Sequence, residues 1–369
     1  MTAPRTIGIM TGGGDAPGLN AVIRVVVKRG VTNLGWRVLG IEHSFDGLFA
    51  DPPGVKALGR DDVRGILRRG GTILGTTNRG DPFAFEGEDG VVRDVSAETV
   101  ARLQGLGCEG LIGIGGDGTQ SICARLSERH GLKVVGVPKT IDNDILATDA
   151  TFGFDSAVAY ATDAVDRLHS TAEAHDRVMV VEVMGRHAGW IALEAGVAGG
   201  ADIVLIPEIP FRMEPVIAKV LRRRIRRRGF SIIVVAEGAV PAGGQIFEQK
   251  VSGGSAVKLG GAGRFVSEEI ARRTGLDTRY TVLGHLLRGG TPSHADRILA
   301  TRFGNHAVDL VLENRWGRMV AMQQGRITDV PIADVARGFR TIDPGADLVR
   351  AARGVGIVFG DENEDGAPP

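Results

Sequence analysis

The chain has 369 residues, of which 43% are hydrophobic and 24% charged, and its 44 Lys and Arg residues balance 44 Asp and Glu. That is the composition of a globular protein with room for two lobes, and a formal charge of zero gives no global attraction to nucleic acid or a membrane surface. Residues 1–5 lack the basic start and apolar run of a secretory signal, and no stretch nears the roughly 18 apolar residues of a membrane span, so a cytoplasmic location is expected. In chain order, the apolar runs at 7–10, 38–41, 111–114, 134–137, 178–184, 203–206, 232–236 and 281–286 predict strands. Most are nearly continuous in Val, Ile and Leu, as strands covered on both faces should be. Helices are expected to begin near Ala16, Ser96, Thr119, His187, Glu214, Ala262 and Ser293, while Phe154, Val158, Ala161, Val165 and Leu168 share one helical face. Such alternation predicts an α/β protein with largely parallel sheets, whose ligands sit beyond the C-terminal strand ends.

Glycine is the anomaly, with 55 residues gathered in short clusters immediately after the strand-like runs. Residues 11–18, Thr-Gly-Gly-Gly-Asp-Ala-Pro-Gly, follow the first strand; backbone N–H groups there could approach a phosphate closely, with a helix N-terminus adding partial positive charge. The cluster is neither a Walker A loop nor a dinucleotide fingerprint, and a purely structural turn is the alternative. Residues 115–119, Gly-Gly-Asp-Gly-Thr, repeat the context with an aspartate suited to Mg²⁺ beside a polyphosphate, or simply to a turn or cap. Residues 138–144, Pro-Lys-Thr-Ile-Asp-Asn-Asp, place two carboxylates within three positions, where caps and turns also favour Asp and Asn. Cys108 and Cys123 lie outside any CxxC or Cys/His metal spacing, so two buried reduced thiols are expected. Segment 239–261 reads as a surface insertion, and the acidic end from about 361 as a disordered tail. The arginine run at 222–228 has no aromatic interleaving and reads as a solvated face or effector pocket.

In sequence order, the string at 7–18, the GGDGT at 115–119, the TIDND at 140–144, the VEVMGR at 181–186 and the GHLLRGG at 284–290 resemble the 6-phosphofructokinases. GGDG alone also occurs in NAD and lipid kinases; the last three motifs together are specific. The resemblance implies two doubly wound lobes with the active site in the cleft between them: 1–152 with about 290–338 for the phosphoryl donor, and 153–289 with about 339–360 for the sugar phosphate. It implies transfer of a phosphoryl group from Mg-ATP to the 1-hydroxyl of fructose 6-phosphate, with pyrophosphate as the alternative donor. Asp142 would be the base, Asp117 would bind Mg²⁺, and Asp144 would sit beside this centre. Gly14 would place its N–H at the transferring phosphoryl, and Arg186 would stabilise its charge. Gly115, Gly116, Gly118 and Thr119 would complete the donor site with Arg79 and Lys139. Thr140, Met184, Gly185, Glu237, Arg279, His285 and Arg288 would hold the sugar phosphate, with Arg177 reaching in from a neighbouring subunit of a homotetramer or dimer.

The donor signals disagree. Glycine at 118 accompanies ATP in the family, because an aspartate there would crowd and repel the nucleotide α-phosphate; lysine at 139 accompanies pyrophosphate. A lysine tolerates either donor whereas an aspartate excludes one, so ATP is preferred. Asn78 and Arg79 stand where the family has a single bridging arginine, and Ile122 replaces a small residue expected near adenine. At the usual effector site His169 stands in place of arginine, while Arg24, Lys28, Arg226 and Arg228 keep it basic.

Overall fold

The computed structural model describes residues 4–87, 89–225, 229–250 and 257–363; Arg226 and Arg228 lie outside them. The chain divides into two compact units, one running to Ser156 and resuming over Arg288–Phe339, the other formed by Ala157–Leu287 and the chain from Arg340. The division falls just inside the long helix Phe154–His175.

The first unit is built on a sheet whose neighbours run Arg326–Pro331, Arg318–Gln323, Val134–Thr140, Gly110–Gly115, Thr6–Gly12, Arg37–Ile41 and Val55–Leu58. The five central strands are parallel, and an antiparallel strand closes each edge. Because side chains alternate across a strand, Ile7, Ile9, Ile112, Val135 and Val137 pack on one face with Val22, Val26, Phe303 and Val308, while Met10, Leu111 and Val134 meet Val100, Leu103, Cys123 and Leu126 on the other. Two covered faces explain the uninterrupted apolar runs in the sequence.

In the second unit four parallel strands are ordered Ile203–Leu205, Ser231–Ala236, Val178–Val183, Thr278–Val282. Val178, Val180, Ile233 and Val235 pack with Val216, Val266 and Ile270 from the helices Met213–Ile225 and Ala262–Thr274. Thr278–Val282 is an edge strand with Arg279, Tyr280, Thr281 and Val282 all exposed.

Several boundaries differ from the sequence expectation. The run at 281–286 is not a strand: the strand is Thr278–Val282, and the left-handed Gly284 (φ 48°) turns the chain into a 3₁₀ segment, Gly284–Arg288. The first helix starts at Leu19 rather than Ala16, behind Gly18 with φ 108°. The helix expected near His187 starts at Trp190. The hairpin joining Arg318–Gln323 to Arg326–Pro331 was not anticipated; Gln324 and Gly325 both take positive φ, the two-residue turn whose twist suits a hairpin. Cys123 is buried but Cys108 only half-buried, and burial pushes their thiols up to about 12 and about 11. Segment 239–261 contains a paired ribbon, Glu248–Lys250 with Val257–Leu259. The tail does not begin at 361: Glu362 is buried and accepts from the Phe359 and Gly360 amides, and Arg353 pairs with both Asp361 and Glu362. Residues 364–369 lie outside the described residues. No helix among the described residues is long and apolar enough to cross a membrane.

Candidate active site

Three adjacent parallel strands of the first unit, Thr6–Gly12, Gly110–Gly115 and Val134–Thr140, end around one pocket. The first strand hands over to Gly13, whose φ of 75° suits glycine. Gly13 donates to the Thr77 carbonyl at 3.0 Å, and the Thr76 hydroxyl donates back to the Gly13 carbonyl at 2.6 Å. The phosphate-type loop is thus braced by a second loop. A Cβ on Gly12 would lie 2.6 Å from the Thr119 hydroxyl and one on Gly115 2.4 Å from it, so glycine lets both strands close on the start of the helix Asp117–His130. Gly115 therefore packs beneath the pocket rather than lining it. Asp117 occupies the first helical position, exposed and on the pocket wall, where amide ends favour anionic groups. A Cβ at Gly118 would meet nothing within 4 Å. Packing does not require glycine there; the position is open space.

Lys139 and Thr140 belong to the third strand, not to the turn after it. The Lys139 ammonium is buried and donates to the Gly14 carbonyl. Burial, aided by repulsion from Arg288, brings it down to about 8 against the pull of Asp15, Asp142 and Asp117. The turn itself is held internally: the Asp142 amide donates to the Thr140 hydroxyl, and Thr151 donates through its amide and hydroxyl to the Asn143 side chain, fixing that residue at φ 52°. Asp142 is half-buried on the pocket wall. Asp144 is buried, and burial together with Asp142 and Asp117 raises it to about 7. Arg288 donates to the Asp15 carbonyl at 3.1 Å, and its guanidinium stands where a Cβ on Gly14 would fall, 2.7 Å away.

Among the described residues no group of three or more His, Cys, Asp and Glu is arranged to hold a metal ion. Magnesium needs less, since one or two carboxylates, substrate phosphates and water complete its octahedron. An exposed Asp117 near a carboxylate pair with excess negative charge fits that donor set.

Of the expected residues, Gly14, Gly116, Asp117, Gly118 and Thr119 line this pocket, as do Lys139, Thr140, Asp142, Asp144 and Arg288. Arg79 does not; it is exposed, and Asn78 lines the wall in its stead, with Ile122 nearby. Sequence reasoning missed Ser44, Phe45, Thr77 and Asp81. His43 and Ser44 take left-handed φ of 53° and 61°, a conformation that neither residue type announces.

In the second unit, Met184, Gly185 and Arg186 follow the C-terminal end of Val178–Val183, Glu237 that of Ser231–Ala236, and His285 that of Thr278–Val282. These three strands are neighbours, so these residues share one end of the sheet. Arg177 and Arg279 do not. Arg177 precedes Val178–Val183, and Arg279 lies in register with Met179, so both stand at the other end and pair with Asp277 at 2.5 Å. A strand of that length spans about 20 Å. The expectation that Arg279 joins His285 is therefore corrected: register groups it with Arg177.

Residues 6–311 match the sequence profile of the family described as Phosphofructokinase. The chain belongs to that family. All the candidate residues above fall within the matched span. A Chloroflexus aggregans protein named ATP-dependent 6-phosphofructokinase is 52% identical over 356 residues, covering 96% of this chain and 98% of its own. An Amycolatopsis methanolica protein named pyrophosphate–fructose 6-phosphate 1-phosphotransferase is 50% identical over 342 residues, covering 92% and 96%. Phosphofructokinases with either donor in their names thus stand at similar identity. The solved phosphofructokinase of Saccharomyces cerevisiae has a TM-score of 0.75 and 32% identity; the match covers 90% of this chain and 45% of that longer one.

Proposed function

We propose that the protein is a cytoplasmic ATP-dependent 6-phosphofructokinase, moving the terminal phosphoryl group of ATP to the 1-hydroxyl of fructose 6-phosphate and releasing ADP and fructose 1,6-bisphosphate. The observation that carries this reading is the meeting of Gly14, Asp117, Asp142 and Asp144 with Lys139 and Arg288 around one pocket. Phosphoryl transfer asks chiefly for positioning and charge stabilisation, and this pocket offers both. Asp142 accepts the hydroxyl proton as the new oxygen–phosphorus bond forms and the bond to the departing diphosphate breaks. The Gly14 N–H, Arg186 and Lys139 meet the charge spread over the phosphoryl oxygens. Bound Mg²⁺, held by Asp117 and the donor phosphates, would neutralise further charge. Thr140, Met184, Gly185, Glu237, His285 and Arg288 hold fructose 6-phosphate.

Arg177 and Arg279 are proposed to complete the sugar-phosphate site of a neighbouring subunit in a homo-oligomer, a tetramer or a dimer. Their position at the far end of the sheet supports this, as does an edge strand exposed along Arg279, Tyr280, Thr281 and Val282.

The open space at Gly118 favours ATP. A second reading, transfer from pyrophosphate, is favoured by the buried Lys139 ammonium at the Gly14 carbonyl. The test is turnover of purified protein with fructose 6-phosphate, Mg²⁺ and each donor in turn. Activity with pyrophosphate and none with ATP would reverse the donor assignment. Asp142→Asn is expected to lower kcat by roughly 10²–10⁴ while leaving fructose 6-phosphate binding intact; unchanged turnover would remove Asp142 from the reaction.

A further inference from the structure

Arg186 stands on a turn of the second unit whose backbone has little freedom. Gly185 has φ 142°, and a Cβ there would lie 2.7 Å from the Ala188 carbonyl. Gly238 donates to the Gly185 carbonyl at 3.1 Å, and a Cβ on Gly238 would reach the Arg186 carbonyl at 2.2 Å. These contacts fix the start of the turn. Its end is held by a carboxylate. The Gly189 amide points between both oxygens of Glu208, at 3.1 Å to each, and Glu208 Oε1 also accepts from the Ile342 amide at 2.9 Å. The close approach depends on glycine, since a Cβ at 189 would stand 2.4 Å from Ile206 and 3.1 Å from Glu208 Oε2.

The same two segments meet again one residue on, where the Trp190 indole N–H donates to the Arg340 carbonyl and the Arg340 guanidinium lies 4.3 Å over the indole ring. Burial raises the Glu208 carboxyl above the usual carboxylate range, and what offsets it is backbone N–H groups, those of Ile342, Glu208 itself and Gly189. A carboxylate held this way is a bracket for backbone. It is also stiff: both its oxygens are committed, and only His187 and Ala188 separate Arg186 from Gly189, which leaves little slack between the bracket and the guanidinium.

We infer that Glu208 is a positioning residue for Arg186, gripping the Gly189 amide and tying it to the returning chain at Ile342 so that the Arg186 turn ends in one place. The inference rests on the role proposed for Arg186. An amide replaces the carboxylate poorly: with the Gln oxygen in the place of Oε1 it still accepts from Gly189 and Ile342, but its NH₂ then takes the place of Oε2 and faces the Gly189 N–H.

The experiment is a double-mutant cycle on the full-length protein, measuring kcat and KM with the active donor and fructose 6-phosphate. Glu208→Gln is expected to lower kcat about tenfold with the donor KM changed less than twofold. In the Arg186→Ala background it is expected to change kcat less than twofold, because the group it positions is gone. An equal fall in both backgrounds, or no fall in either, overturns the inference. If Glu208→Gln does not fold, Glu208→Asp replaces it, keeping two acceptors but withdrawing them from Gly189; the same cycle supports or overturns the inference in the same way. If Arg186→Ala turns over like the native protein, it is the assignment of Arg186 that fails, and the inference falls with it.

Discussion

Asp144→Asn removes a charge that the folded chain accommodates poorly. The Asp144 carboxyl is raised from 3.8 to about 7, first by burial and then by Asp142 and Asp117. Because the folded value lies above the unfolded one, the folded chain binds more protons than the unfolded chain between these limits. The associated stability is fully present below pH 4 and is lost as pH rises through 7. About three pH units at about 1.4 kcal/mol each make this about 4 kcal/mol missing in full near pH 8. Asparagine has similar shape and no charge at either pH. The variant is therefore expected to be more stable than the native protein by up to about 4 kcal/mol near pH 8, the gap narrowing to about 2 kcal/mol near pH 5. Urea titrations of the ligand-free proteins, followed by circular dichroism at the two pH values, measure it. Native and variant midpoints that shift in parallel with pH would refute the reasoning.

Gly14→Ala would set a methyl group 2.7 Å from an Arg288 nitrogen and force that guanidinium off the Asp15 carbonyl; a fall in kcat on the order of 10- to 100-fold is expected, and native turnover would show that Arg288 works elsewhere. A Cβ at position 118 meets nothing within 4 Å, so the melting temperature of Gly118→Asp should stay close to the native one. A carboxylate about 5 Å from a phosphate at an effective dielectric near 20 costs about 3 kcal/mol, so kcat/KM for ATP should fall about 100-fold while pyrophosphate is spared; unaltered ATP kinetics would deny that the nucleotide passes position 118. Gln120→Met removes buried bonds to the Gly115 and Val137 carbonyls, at 3.0 Å each, beneath the strand ends that carry the site. A loss of about 2–3 kcal/mol is expected in denaturant titrations, and a change within about 0.5 kcal/mol would mean these carbonyls find other donors.

The strands were legible because both faces of each central strand are covered, which leaves Val, Ile and Leu almost uninterrupted. The pocket was legible because glycine is demanded at the strand ends, where Thr119 comes too close for a side chain. What escaped depends on register and on local backbone choices. The strand that carries Arg279 starts three residues before the apolar run suggests, and that shift moves Arg279 to the Arg177 end of the sheet. The wall formed by Ser44 and Phe45 depends on two consecutive left-handed residues, His43 and Ser44, that are neither Gly nor Asn. Asn78 rather than Arg79 faces the pocket, a choice between adjacent positions in an irregular loop that no periodicity decides. Glu362 sits in an acidic, proline-ended segment, so composition hides its bonds to the Phe359 and Gly360 amides.

The two thiols have a practical consequence. With Cys108 at about 11 and Cys123 at about 12, roughly one Cys108 in four thousand is thiolate near pH 7.4, and fewer still of the other, so alkylating reagents and peroxide find little nucleophile. A cysteine introduced at an exposed position would carry a maleimide dye alone. Distances between labelled sites could then be followed during turnover without first stripping the native sulfur from the core.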